Sequence, residues 1–95
     1  MAELSFEWDE AKNAANIKTH GIDFLDAALI FENPIVEAVD DREDYDEVRL
    51  IALGLSGEMV LHVVYTWRGG NTIRIISARK ANRYDADKYY RTAFS

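Results

Sequence analysis

The segment Ile73–Lys80 (IRIISARK) joins an alternating apolar pattern to a terminal pair of cations, Arg79 and Lys80. The alternation is that of a strand packed on a core, and the cations fall just before a helix expected from Asn82. A guanidinium, an ammonium and the free N–H groups of a helix start form a place suited to phosphate. The same side chains can instead pair with the acidic run Asp40–Glu47 (DDREDYDE) or with Glu58. Arg68, in the turn of Tyr65–Asn71 (YTWRGGN), lies on the hairpin that feeds this strand. Arg49 and Arg74 fall inside expected strands, where an arginine needs a partner across the ladder or an open sheet face. Tyr65 and Trp67 either pack in the core or offer a ring to a nucleic-acid base.

Among groups that titrate near neutrality, His20 follows the last turn of an expected helix. It can serve as general acid or base, or simply complement the negative end of the helix dipole. His62 lies in the most apolar strand and reads as a satisfied core histidine. The carboxylates of Asp40–Glu47 lack the glycine turn and terminal spacing of a calcium loop, so they read as a solvated connection. The chain has no cysteine, and two histidines are too few for a zinc site. Neither a metal nor a cofactor is expected. A glycine-rich phosphate loop, a nucleophile elbow and a dinucleotide fingerprint are all missing.

The net charge of −6 argues against a nucleic-acid protein until its distribution is considered. Met1–Glu47 carries 14 acidic and 3 basic side chains, whereas Val48–Ser95 carries 3 acidic and 8 basic ones. The cations therefore belong to the second half. At 95 residues and 48% apolar composition the chain suits one globular domain over 1–95. Met1–Trp8 lacks a charged-then-apolar pattern and is not expected to be a leader, and no apolar run approaches the length of a membrane span, which reads as cytoplasmic with no membrane contact.

These side chains must be held by an α+β framework. Ser5–Trp8 is a short extended segment. Asp9 caps a helix from Glu10, with Ala11, Ala14, Ala15 and Lys18 at helical spacing, small residues that allow close packing, and Gly21 ends it. Asp23 with Asp26 begins a second helix whose buried face is Phe24, Ala27, Ala28 and Phe31, and Asn33-Pro34 stops it. The two form a helical hairpin. Ile35–Val39, Val48–Leu55, Met59–Trp67 and Thr72–Ala78 are strands by their β-branched content and punctuation. Ser56-Gly57 and Gly69-Gly70-Asn71 are turns that join the last three strands into an antiparallel meander. Met59–Trp67 is apolar on both faces, which places it centrally. The final helix carries Ala86, Tyr89, Tyr90, Ala93 and Phe94 as its apolar stripe.

Four stretches then point to a family. Phe6–Phe24 (FEWDEAKNAANIKTHGIDF), Ala27–Pro34 (AALIFENP), Tyr65–Gly69 (YTWRG) and Arg74–Ala81 (RIISARKA) closely resemble the BrnT toxins, in order and with matching separations over nearly the whole chain. The resemblance implies a RelE-like fold and an endoribonuclease that cleaves RNA without a metal and so inhibits translation. It also implies a BrnA-like ribbon-helix-helix antitoxin as partner, through which alone DNA would be contacted. Carried over, catalytic roles fall on His20, Arg68, Arg79 and Lys80, and RNA contacts on Arg49, Arg74 and Tyr65. Such cleavage uses the adjacent ribose hydroxyl as nucleophile and cations to stabilise the phosphorane. His20, Glu58 and Tyr65 all remain open as the proton acceptor. Two positions depart from the pattern: Trp67 replaces a glutamate, and Asp85 replaces a glutamate of the last helix. The first departure and the acidic balance motivate an alternative, a toxin-fold module that binds the antitoxin without cleaving. A repressor subunit that itself reads DNA is disfavoured, because no helix carries a basic recognition face. The helical hairpin and the sheet edge at Ile35–Val39 are the candidate surfaces for the antitoxin.

Overall fold

Asp9 and Gly21 bracket the first helix as their chemistry requires. Asp9 Oδ1 accepts from the Lys12 N–H at 3.0 Å, and Gly21 at φ 73° donates its N–H to Ile17 O at 2.8 Å. A computed structural model describes residues 3–94. In chain order the elements are β1 (Ser5–Glu7), α1 (Glu10–His20), α2 (Phe24–Ala28) with a 3₁₀ turn (Leu29–Glu32), β2 (Ile35–Val39), β3 (Leu50–Ser56), β4 (Met59–Arg68), β5 (Thr72–Lys80) and α3 (Arg83–Ala93). Among the described residues no helix is long and apolar enough to cross a membrane.

The sheet order is β1-β5-β4-β3-β2, so β4 is central as its two apolar faces require. The expected antiparallel four strands are present, and β1 adds a fifth, parallel to β5 through Ser5–Thr72, Phe6–Ile73 and Glu7–Arg74. That strand is held at its start by Ser5 N–H on Asn71 O at 2.9 Å and by Asn71 Nδ2 on Glu3 O at 2.8 Å.

One sheet face is covered by α2 and its 3₁₀ extension, which place Phe24, Ala27 and Ile30 against Ala52, Leu61, Val63, Tyr65, Ile73 and Ile75. On the other face α3 covers only one end, where Tyr89 packs with Leu53 and Val60, and its hydroxyl donates to Pro34 O at 2.7 Å. The rest of that second face has no helix over it.

Helix α1 departs from expectation. Ala11, Ala14 and Ala15 are exposed, and the buried residues are Asn13 and Asn16. Asn16 Oδ1 accepts from Ala78 N–H at 3.1 Å, and its Nδ2 donates to Ala78 O and Ile22 O, each at 2.8 Å. Beyond Arg74, β5 has no strand on its outer side, so its buried peptide groups need a polar partner rather than an apolar one. Asn13 does similar service, accepting from Phe24 N–H at 2.9 Å and donating to Asp23 Oδ1 at 3.1 Å.

Candidate functional site

Arg74 and Arg79 are five residues apart, so a regular strand would point them to opposite faces. The β4–β5 ladder is not regular. Val64 pairs with Ser77 and Tyr65 with Ile75, which leaves Ile76 as an extra residue in a β-bulge. The bulge resets the alternation. Arg74, opposite Thr66, and Arg79, opposite His62, then share one face, while Ile73, Ile75 and Ala78 turn together into the core. Arg68, two residues beyond Thr66 on β4 and opposite Thr72, lies on that same face. Helix α3 covers only one end of this face; its middle is closed by other parts of the chain, since Val64 and Thr66 are buried and Thr66 Oγ1 donates to Val48 O at 2.7 Å.

The ion pairs separate these arginines into occupied and free. Arg74 Nη1 is 2.6 Å from Glu7 Oε2, across the parallel β1–β5 pair. Arg49 lies over the Tyr45 ring at 4.1 Å, with its buried Nε 3.6 Å from Glu47 Oε1, an arrangement that holds the acidic connection to the sheet. Among the described residues Arg68, Arg79 and Lys80 pair with no carboxylate. The Arg79 guanidinium makes only a long contact of 3.4 Å to Lys80 O. Asp40 is taken instead by Arg42, through Nε at 2.7 Å and Nη2 at 2.8 Å, and this bidentate contact holds its carboxyl down at about 2.

Other expected residues lie elsewhere. Lys80 pairs with Leu61, on the alternation of the helix-covered face, and borders a cleft with Glu58, Met59, Ala86 and Tyr90. His20 is exposed at the end of α1, in a shallow hollow with Lys12, Thr19 and Ile76. Tyr65 does not fit the part of an RNA contact. It is fully buried, its ring packs edge-on to Phe31 at 5.0 Å, and its hydroxyl donates to Glu37. Burial and that carboxylate push its pKa well above the ordinary phenol range, so it accepts no proton near neutrality. Trp67, 44% exposed, stands beside Tyr65 on the same alternation and therefore away from the arginine face.

His62 is the residue whose surroundings the sequence concealed. It is only 8% exposed, yet it sits on the arginine face directly opposite Arg79 and lines a hollow with Asp85 and Lys88 of α3. Burial, and then the Arg79 charge, push its pKa down, against a smaller pull from Asp85. The ring is neutral at pH 7. A lone polar residue in an apolar strand was the available signal, but its cross-strand neighbour depends on the bulge.

Comparison with known proteins agrees with this architecture. A family model described as the ribonuclease toxin BrnT of type II toxin–antitoxin systems matches residues 8–85. The fold is similar to a 1.1 Å crystal structure of the Brucella abortus ribonuclease toxin BrnT, with a TM-score of 0.65 and 31% identity, over 84% of this chain and 99% of that one. A sequence search of curated proteins finds no match. The family match over most of the chain and the likeness in fold and sequence together make this chain a member of the BrnT family of type II toxin–antitoxin ribonuclease toxins.

Proposed function

We propose that the sheet face bearing Arg68, Arg74 and Arg79 holds an RNA strand through these side chains and that the strand is cleaved by attack of the ribose 2′-hydroxyl, without a metal. The observation that carries this reading is the pair of arginines, Arg68 and Arg79, that share a face and have no carboxylate partner among the described residues. A guanidinium that no carboxylate holds keeps its donors available for a bidentate contact to a phosphate. In the reaction the 2′-hydroxyl gives its proton to water as its oxygen bonds to phosphorus, and the P–O5′ bond breaks as the leaving oxygen takes a proton from water, giving a cyclic phosphate and a 5′-hydroxyl. Negative charge grows on the non-bridging oxygens, and preformed guanidinium donors stabilise it. Arg74, tied to Glu7, is oriented for a phosphate rather than free to follow one. Lys80, on the opposite alternation, takes no part on this face, and Arg49 serves mainly to anchor the acidic connection.

Trp67 bears on the non-cleaving alternative. Because it points away from the arginines, its departure from the family glutamate does not remove a group from this face. In the cell the activity would be restrained by a BrnA-like ribbon-helix-helix antitoxin in the cytoplasm, with DNA contacted only through that partner.

Arg79→Ala should reduce cleavage of a single-stranded RNA about 10²-fold or more, the usual cost of losing one charged donor to a transition state. It should also abolish growth arrest on expression without the antitoxin. A 2′-deoxy substitution at the cut site should block cleavage, and EDTA should not. Full activity of Arg79→Ala would sink the arginine-face reading, and growth unaffected by the unaltered chain would favour the non-cleaving module.

A further inference from the structure

Next to Arg79 the arginine face sinks into a hollow of about 180 Å³ where α3 meets the sheet. Val36, Ile51 and Leu53 make its apolar walls, and His62, Asp85 and Lys88 supply its polar groups. His62 is more than nine-tenths buried, and its ring hydrogen-bonds to its own backbone. Burial disfavours its charged form, and so does Arg79, while Asp85 favours it; Glu37 of β2 and Lys88 of α3 also border the hollow, and Arg42 acts more weakly from the acidic connection. The neutral ring therefore presents one N–H and one bare nitrogen. Asp85 and Lys88 are three residues apart on α3 and share a helix face, yet they form no ion pair with each other or with another described side chain. A small apolar slot thus holds a carboxylate and an ammonium that form no ion pair, beside a neutral imidazole.

That set has a matching ligand among the nucleobases. Guanine alone carries two adjacent N–H donors, on N1 and N2, with the O6 acceptor beside them. A carboxylate takes the two donors side by side, and an ammonium takes the oxygen. Adenine presents one amino group and a bare ring nitrogen there, uracil one N–H between two carbonyls, and cytosine one amino group beside two acceptors. Bases splayed from a single strand are read in this way, along the edge used for pairing. Arg79 lies on the strand next to His62, so a nucleotide whose phosphate it holds has its base within reach of the slot.

We propose that this hollow receives a guanine base of the bound RNA, read by Asp85 and Lys88 and seated on His62, and that cleavage is guanine-dependent as a result. The inference rests on the arginine-face reading, and the experiment separates the two. A uridine oligonucleotide with one guanosine is compared with the same oligonucleotide carrying inosine, which lacks the N2 amino group, or adenosine at that position. Cleavage by the full-length chain free of antitoxin should fall about 10-fold with inosine and about 100-fold with adenosine, in line with the loss of one or both partners of a bidentate contact. Asp85→Asn should collapse the guanosine-to-adenosine preference at least 10-fold while the melting temperature stays unchanged. Lys88→Gln should weaken the preference as well. Equal cleavage of all three oligonucleotides, or an Asp85→Asn chain that keeps its preference, would overturn the guanine assignment. Failure of the arginine-face reading has a different signature: Arg79→Ala would then bind all three oligonucleotides as tightly as the unaltered chain at fixed salt.

Discussion

A phenol inside a protein core requires an acceptor, and Tyr65 finds one in Glu37 of the edge strand. Its raised pKa and its position on the helix-covered face take it out of the reaction. Tyr65→Phe should therefore cleave RNA at the normal rate while losing about 1 kcal/mol of stability, the net worth of one hydrogen bond, in urea unfolding. A variant with normal stability and no activity would return Tyr65 to the chemistry. Part of this was legible in the sequence. Tyr65 and Arg68 are three apart on one strand, so they cannot share a face, and the apolar neighbours at Leu61 and Val63 mark the side that is buried. His62 was not legible in the same way, because its neighbours Arg79, Asp85 and Lys88 come from other elements.

At the scale of elements, two devices set the geometry of the site, and both act on β5. The bulge at Ile76 brings Arg74 and Arg79 to one face, and Asn16 of α1 saturates the strand where β1 stops. Asn16→Ala leaves the buried Ala78 N–H and C=O without partners and should cost about 2–4 kcal/mol. Thermal unfolding checks the cost, and faster hydrogen exchange at the Ala78 amide locates it. An unchanged melting temperature would mean that water replaces the side chain. The caps at Asp9, Asp23 and Asn82 and the stop at Gly21 followed from local residue chemistry. The exposed alanines of α1 did not, since composition cannot say which side of a helix meets a bare strand edge.

For the whole molecule, the acidic and basic halves of the chain meet at Glu7–Arg74 and Glu47–Arg49. Arg68 and Arg79 are left without a carboxylate partner among the described residues, so a chain of net charge −6 still presents free arginines on one face. Its pH dependence should have two steps. The depressed pKa of His62 means that the unfolded chain binds the proton more readily, so stability is complete above the ordinary histidine value and falls as pH drops below about 6.5. Asp40, held down at about 2 by Arg42, contributes above the ordinary carboxylate range and loses that contribution as pH falls from about 4 towards 2. Urea midpoints measured across pH should show both declines, and His62→Gln should remove the first. A single decline below pH 4 in the unaltered chain would contradict the buried neutral imidazole. The sequence by itself determined the helix boundaries, the meander, the central place of β4 and the motifs of the family, because caps, turns and alternation act over a few residues. Only the tertiary structure decided that Arg68, Arg74 and Arg79 share one face, that Lys80 and His20 do not join them, and that His62 borders a hollow with Asp85 and Lys88. Those outcomes hang on one extra residue in a ladder and on the packing of α3, which are properties of paired elements rather than of any one segment.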